Sequence, residues 1–328
     1  MPDASPSEED EKVRTAEDAV GLLLAGQADA GLALYETCLR RAKGYRIPTG
    51  LHLLFLEQAG LAHVAEDLRR IALRRGGNVA VKEVLGASAV EVAEEYETLF
   101  AHGIANSRMI FRLLVALSRS GRAAEVAAIL DPDRLLQTVR LDLPGPDGEA
   151  GGLAQAVQEM LIREEPRSVD RDATQPLNKV PMLERLHKSD DPAARALTAA
   201  LRVQADKYLS EWVASEHPLA HLVERNVDLK AWALFARGTA FTTRHIHSQG
   251  WATGVYYPAG IQPGTTGGDL IVGPPEEIED MAPWWPRAKI RPEPGLLVLM
   301  PSYCMHWTLP LSGEALRTSV AFDLLDVD

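Results

Sequence analysis

Hydrophobic positions follow a helical period in the first half of the chain and a period of two in the last third. In LALYETCLRRA, residues Leu32, Leu34, Tyr35, Cys38, Leu39 and Ala42 form one stripe, the signature of an amphipathic helix with a single buried face. LHLLFLEQAG, VAEDLRRIAL and MIFRLLVALSRSG repeat the pattern, with Gly26, Gly60, Gly76, Gly77, Gly103 and Gly121 between them. Each glycine reads as a helix C-cap or interhelical turn. Gly26-Gln27-Ala28, Gly60-Leu61-Ala62 and Gly121-Arg122-Ala123 each close one helix and open the next. The first interval is 60 − 26 = 34 residues, the period of a tetratricopeptide helix pair. The second is 121 − 60 = 61, so a degenerate tetratricopeptide-like array and a generic helical bundle both fit. No catalytic cluster falls in this half, which points to scaffolding or to binding a protein partner.

Between about 140 and 180 the composition turns polar and rich in Gly and Pro, as in LPGPDGEAGG and REEPRSVDRDATQPLNK. This predicts an exposed linker with a short helix near Leu153–Arg163. One more helical stretch covers 181–216. From about 229 come LKAWALFARGTAF, TGVYYP, DLIVG, AKIRP, GLLVLMPS and RTSVAFDLL. These are short strands cut by Gly and Pro, and together they predict a sandwich or barrel. The expected organisation is a disordered acidic tail over 1–14, a helical repeat-like domain over 15–140, a linker over 141–178 and a β domain over 179–328. The fold class is α+β.

Charge narrows the function. The 328 residues carry 34 Lys and Arg against 46 Asp and Glu, a net charge of −12, which argues against nucleic acid as a partner. No apolar run approaches the roughly 20 residues of a membrane span, and the N-terminus does not read as a signal peptide. The two cysteines, Cys38 and Cys304, lie far apart, which permits no disulfide framework and fits a reducing cytoplasm.

The chemistry gathers in the β part. His245 and His247 are separated by one residue, and residues i and i+2 of a strand share a face. His306 follows the strand LLVLMPS, which a sandwich can bring back against the pair. Three imidazoles open on one side suit Fe, Zn, Cu or Ni; chance or surface histidines are the alternative. Arg317 and Ser319 begin the last strand on one face, and a guanidinium with a hydroxyl makes a seat for a carboxylate; a surface arginine is the alternative. Arg244 should point away from the histidine pair. Cys304 reads first as a small buried apolar group. Trp284 and Trp285, in the Pro-bounded loop EEIEDMAPWWPR, are candidates for a lid.

The blocks HIHSQGWATGVYYP, GGDLIVGPP and PEPGLLVLMPSYCMHWTLPLSGEALRTSVAFDL occur in the order typical of a branch of the Fe(II)- and 2-oxoglutarate-dependent oxygenases. The chain resembles that branch closely over about 229–325 and loosely over 176–228. The resemblance implies a double-stranded β-helix, or jelly-roll, with Fe(II), 2-oxoglutarate and O₂ as cofactor and cosubstrates. It implies His245, His247 and His306 as iron ligands, Arg317 and Ser319 at the distal carboxylate of 2-oxoglutarate, and Tyr256 or Tyr257 lining the cosubstrate pocket. Substrates would be a peptide, a protein or a small molecule. The wider superfamily uses two His and one carboxylate, whereas this chain has His247 in the carboxylate position; Asp269 is a possible replacement carboxylate. With three neutral imidazoles the Fe(II) centre would carry +2, one unit more than with a carboxylate ligand. Two alternatives stay open: a three-His dioxygenase that does not use 2-oxoglutarate, and a non-catalytic helical-repeat adaptor with a relic jelly-roll.

Overall fold

The computed structural model describes residues 8–41, 47–146, 148–149, 151–165, 177–178, 180–274 and 285–327. It divides into two compact units, residues 1–120 and 121–328. The first unit is helical: α1 (Glu8–Leu24), α2 (Ala28–Arg41), α3 (Thr49–Gln58), α4 (Ala62–Arg74), α5 (Ala89–Ala101) and α6 (Ser107–Arg119). α1 packs on α2, α3 on α4 and α5 on α6. The turns that allow these hairpins need left-handed backbone, and Gly26 and Gly60 supply it at φ 79° and 78° without the steric cost of a Cβ. N-caps fix the later starts. Ser88 and Glu91 form a capping box at α5, and the Asn106 side chain accepts from the Met109 N–H at α6; each satisfies donors that the first helical turn leaves open. α1 begins at Glu8, inside the stretch expected as a tail; residues 1–7 lie outside the described residues.

The second unit contains α7 (Ala123–Leu130), α8 (Pro132–Leu135), α9 (Gly152–Glu164), α10 (Pro192–Val213) and eleven described strands. The larger sheet is β1 (Gln137–Arg140), β9 (Leu296–Pro301), β6 (Ala252–Tyr257), β11 (Leu316–Asp326), β4 (Val227–Arg237) and β3 (Met182–Leu183), in that order and antiparallel throughout. A smaller sheet runs β10 (His306–Thr308), β7 (Leu270–Val272), β8 (Ala288–Ile290). A third ladder pairs β2 (Leu177–Asn178) with β5 (Phe241–Thr242). This is the α+β arrangement of helices followed by an antiparallel jelly-roll. The contact division falls after Ser120, and the stretch 121–140 packs with the β unit. β1 extends the larger sheet by pairing with β9, and the Tyr303 hydroxyl donates to the Ile129 carbonyl at 2.8 Å. The segment expected as a linker contains α9, which packs on α10 and buries Leu153, Val157, Met160 and Leu161; residues 166–176 lie outside the described residues.

β11 organises the unit. It pairs with β4 over its whole length, from Leu316↔Arg237 to Asp326↔Val227, and with β6 on its other edge. Thr318, on the face away from the pocket described below, meets Gln158 of α9. Arg317 and Ser319, on the other face, line the pocket. β11 is buried over most of its length on both faces, so its burial shows little alternation.

Candidate metal centre and cosubstrate pocket

His245 and His247 sit in an irregular segment after β5, not in a ladder strand. Both are nevertheless fixed by main-chain bonds. His245 and His306 exchange N–H···O bonds of 3.1 and 3.0 Å, and the His247 N–H donates to the Ser302 carbonyl at 2.9 Å. This bridge joins the histidine segment to the edge of the smaller sheet. The result brings the three rings together. Centroids are 4.3 Å apart for His245–His306 and 5.1 Å for His245–His247 and His247–His306. One candidate ligand nitrogen from each lies within 4.8 Å of the others.

Their hydrogen bonds decide which nitrogen is available. His245 Nδ1 lies 2.7 Å from the Thr243 carbonyl and His306 Nδ1 3.0 Å from the Cys304 carbonyl. A carbonyl can only accept, so each Nδ1 carries the proton and each Nε2 keeps its lone pair. Burial and the neighbouring imidazoles lower the His245 pKa to about 4 and push that of His306 well below its usual value. Both rings are therefore neutral at pH 7, the protonation state a metal ligand needs. A donor set of three convergent imidazoles fits Fe(II). Among the described residues no carboxylate joins this group. Asp269 faces Lys289 and Arg291 at 3.5 and 3.4 Å.

The histidines line a cavity of about 520 Å³ that also reaches Tyr257, Thr308, Arg317 and Ser319. Arg317 is 3% exposed. Its two terminal nitrogens donate to the Gly268 carbonyl and Thr308 Oγ1, each at 3.0 Å, and its Nε is buried without a partner. A guanidinium has five N–H donors, so Nε–H and one N–H on each terminal nitrogen remain for an anion. Burial depresses the Arg317 pKa, opposed by nearby Tyr257 and Asp269. Thr308 and His306 are two residues apart on β10, hence on one face and about 7 Å apart along it. The Arg317 guanidinium, through Thr308, and the imidazole cluster thus share one pocket wall.

The two tyrosines separate. Tyr257 is a lining residue, with its hydroxyl pKa pushed up to about 12 chiefly by burial. Tyr256, its neighbour on β6, is fully buried outside the lining, and its hydroxyl has no hydrogen-bond partner. Cys304 also lies outside the lining, with burial raising its thiol to about 12. The Arg244 guanidinium lies 5.4 Å from the centre of the Trp307 ring. Trp285 is buried; Trp284 and the loop residues before it, 276–283, lie outside the described residues. Three pocket residues were not singled out by sequence. Trp232 stacks on His247 at 6.1 Å and 18°. His187 lines the cavity, its Nδ1 3.0 Å from the Ala231 N–H. Asp323 Oδ1 lies 2.6 Å from His247 Nδ1. Period-two counting along RTSVAFD places Asp323 on the face of Arg317 and was the available signal.

Fold and site together place three convergent imidazoles and a buried arginine with an unpartnered Nε in one cavity of a jelly-roll unit. Residues 230–323, under a third of the chain, match the family described as "Putative 2OG-Fe(II) oxygenase", a family that uses Fe(II), 2-oxoglutarate and O₂. No curated protein matches the sequence. Among solved structures, a prolyl-4-hydroxylase from Pseudomonas putida is similar at 19% identity and TM-score 0.41, over 60% of this chain and 97% of that one. A prolyl hydroxylase from Trichoplax adhaerens, solved with a hypoxia inducible factor peptide fragment, is similar at 14% identity and TM-score 0.42, over 63% and 90%. The epimerase SnoN, solved with Fe³⁺, alpha-ketoglutarate and nogalamycin RO, is similar at 13% identity and TM-score 0.41, over 63% and 84%.

Proposed function

We propose that the β unit is an Fe(II)- and 2-oxoglutarate-dependent dioxygenase that hydroxylates a C–H bond of a peptide, protein or small-molecule substrate. The observation that carries this reading is the pairing, in one cavity, of three convergent imidazoles with a buried arginine that has uncommitted donors. His245, His247 and His306 would hold Fe(II), which when bound supplies the O₂-dependent oxidation. Arg317, with Ser319, would anchor the distal carboxylate of 2-oxoglutarate, leaving its 2-oxo acid end toward the histidines. Tyr257 and Leu270 close the pocket near Arg317 against water. On β11 the lining continues past Ser319 to Ala321, Asp323 and Leu325, and on β4 to Trp232 and Lys230. This far end is open to a substrate. The helical unit serves as a recruitment surface for a protein partner or substrate.

A three-His dioxygenase without 2-oxoglutarate leaves the buried Arg317 without a role, and a relic adaptor leaves the intact histidine cluster without one. The deciding experiment is anaerobic addition of Fe(II) and then 2-oxoglutarate, followed by visible absorption. A weak charge-transfer band dependent on both is expected, with succinate formed on admitting O₂. No band and no succinate would refute the reading.

A further inference from the structure

β11 carries a third polar side chain into the pocket, beyond the arginine and the serine. Asp323 is six residues from Arg317 and so on the same strand face. It lies opposite Lys230 of β4 and Thr253 of β6 in the ladder, and all three line the cavity. Its side chain is only 16% exposed, and its ion-pair contact among the described residues is His247. Oδ1 is buried without a hydrogen bond of acceptable angle, although His247 Nδ1 is 2.6 Å away. A buried carboxylate is unfavourable unless it is paired, and the ion-pair contact this one makes is with the His247 ring.

The three histidines differ in how their Nδ1 atoms are held. His245 and His306 each face a main-chain carbonyl, whereas His247 faces a carboxylate. We infer that Asp323 is a positioning residue for the metal centre, orienting His247 through Nδ1 and returning to the site the negative charge that a histidine in place of a carboxylate removes. The inference rests on the metal-centre reading above. Its charge count is simple. Fe(II) with three neutral imidazoles is +2, and with Asp323 one ring away the total is +1, the value of a two-His, one-carboxylate site. The carboxylate has moved from the metal to the back of an imidazole, where it raises that ring's basicity. Trp232, stacked nearly parallel on His247, holds the ring plane so that the carboxylate controls what remains of its rotation.

The test uses Co(II), which reports its ligands by visible absorption and needs no turnover. The full-length wild type, Asp323→Asn, Asp323→Ala and Asp323→Glu are titrated. Loss of an outer partner of a ligating histidine costs about 10- to 100-fold in metal affinity. That loss is expected for Asp323→Ala and Asp323→Asn, with a shifted Co(II) spectrum and partial recovery in Asp323→Glu. Metal-free melting temperature is the control: a purely structural role lowers it in the Asn and Ala variants while leaving the Co(II) affinity and spectrum of the folded protein unchanged. If Asp323→Ala does not fold, the near-isosteric Asp323→Asn decides. Wild-type affinity and spectrum in the neutral variants overturn the inference alone, whereas a wild type that binds no Co(II) overturns the metal centre and the inference with it. Retention of Co(II) by His247→Ala, lost only when Asp323→Ala is added, would make Asp323 a ligand and also overturn the positioning role.

Discussion

Arg317→Ala is the most direct perturbation of the cosubstrate seat. In the intact protein the guanidinium is already tied on two sides, to the Gly268 carbonyl and Thr308 Oγ1. It therefore meets an incoming carboxylate with little ordering cost. Truncation removes a buried, hydrogen-bonded charge pair, which costs about 2–5 kcal/mol. At about 1.4 kcal/mol per factor of ten, the dissociation constant for 2-oxoglutarate should rise from roughly 30-fold to several thousand-fold. Truncation also removes the Arg317 donor from the buried Gly268 carbonyl, worth about 1–3 kcal/mol if left unsatisfied, while Thr308 Oγ1 keeps its bonds to Thr242; a lowered melting temperature is expected. Arg317→Lys separates the effects: it keeps a cation but loses the planar fork, and should fall between wild type and Ala. The assay is anaerobic titration of the Fe(II)-loaded protein with 2-oxoglutarate, with Co(II) binding as a control for an intact histidine cluster. An Arg317→Ala protein that keeps the cluster and binds 2-oxoglutarate as tightly as wild type would refute the assignment and favour a dioxygenase that does without this cosubstrate.

Further outcomes are expected. His217 is buried and neutral, with Nε2 2.9 Å from the Ile129 carbonyl and Nδ1 accepting from the Leu219 N–H, and burial lowers its pKa below 6.5. The unfolded chain therefore takes up this proton first as pH falls, so stability is full above about pH 6.5 and declines below it toward the folded pKa. Urea melts at pH 7.5 and 5.5 should show a smaller difference in His217→Gln; an unchanged slope would remove His217 from the cause. Gly250 sits at φ 71°, and a Cβ there would meet the Leu324 carbonyl oxygen at 2.1 Å. Gly250→Ala should thus lose at least the about 1–3 kcal/mol of left-handed strain, read by thermal melting, and a neutral effect would contradict this backbone geometry. A fragment of residues 121–328 should fold and bind Co(II), whereas one starting at Asp170 should not. The shorter piece lacks β1 and α9, and each of the four α9 side chains is worth about 1.5–3 kcal/mol on burial. Cooperative melting of the shorter fragment would show that α9 is dispensable.

Legibility in the sequence followed local physics. LKAWALFAR, TGVYY, LLVLMP and RTSVAFDLL became β4, β6, β9 and β11 because β-branched and aromatic runs bounded by Gly and Pro specify strands without outside help. β1 did not announce itself: QTVR is short, half-exposed and follows a helix, and only its pairing with β9 makes it a strand. The stretch GRAAEVAAIL reads like the helices before it. Periodicity predicts a helix but not which core it joins, and that is decided by distant partners such as Tyr303. At the site, the residue types and spacing of His245, His247, His306 and Arg317 were readable. Asp323 was not, because its meaning depends on a ring brought to it from a different segment. Tyr256 and Tyr257 could not be told apart until the larger sheet fixed which face of β6 meets the pocket.

The reciprocal main-chain bonds between His245 and His306 have a consequence for how ion loading and folding are coupled. In small metal-nucleated modules, ligands are scattered until the ion gathers them, and chelation unfolds the chain. Here the two proposed donors, from segments some sixty positions apart in the sequence, are clasped by main-chain bonds that use none of their ring nitrogens, and the clasp extends a sheet. The conformational entropy of assembling the ligands is thus settled when the polypeptide folds. If the proposed centre binds an ion, its binding free energy would appear as affinity and selectivity rather than as folding energy, and chelation would leave the jelly-roll folded.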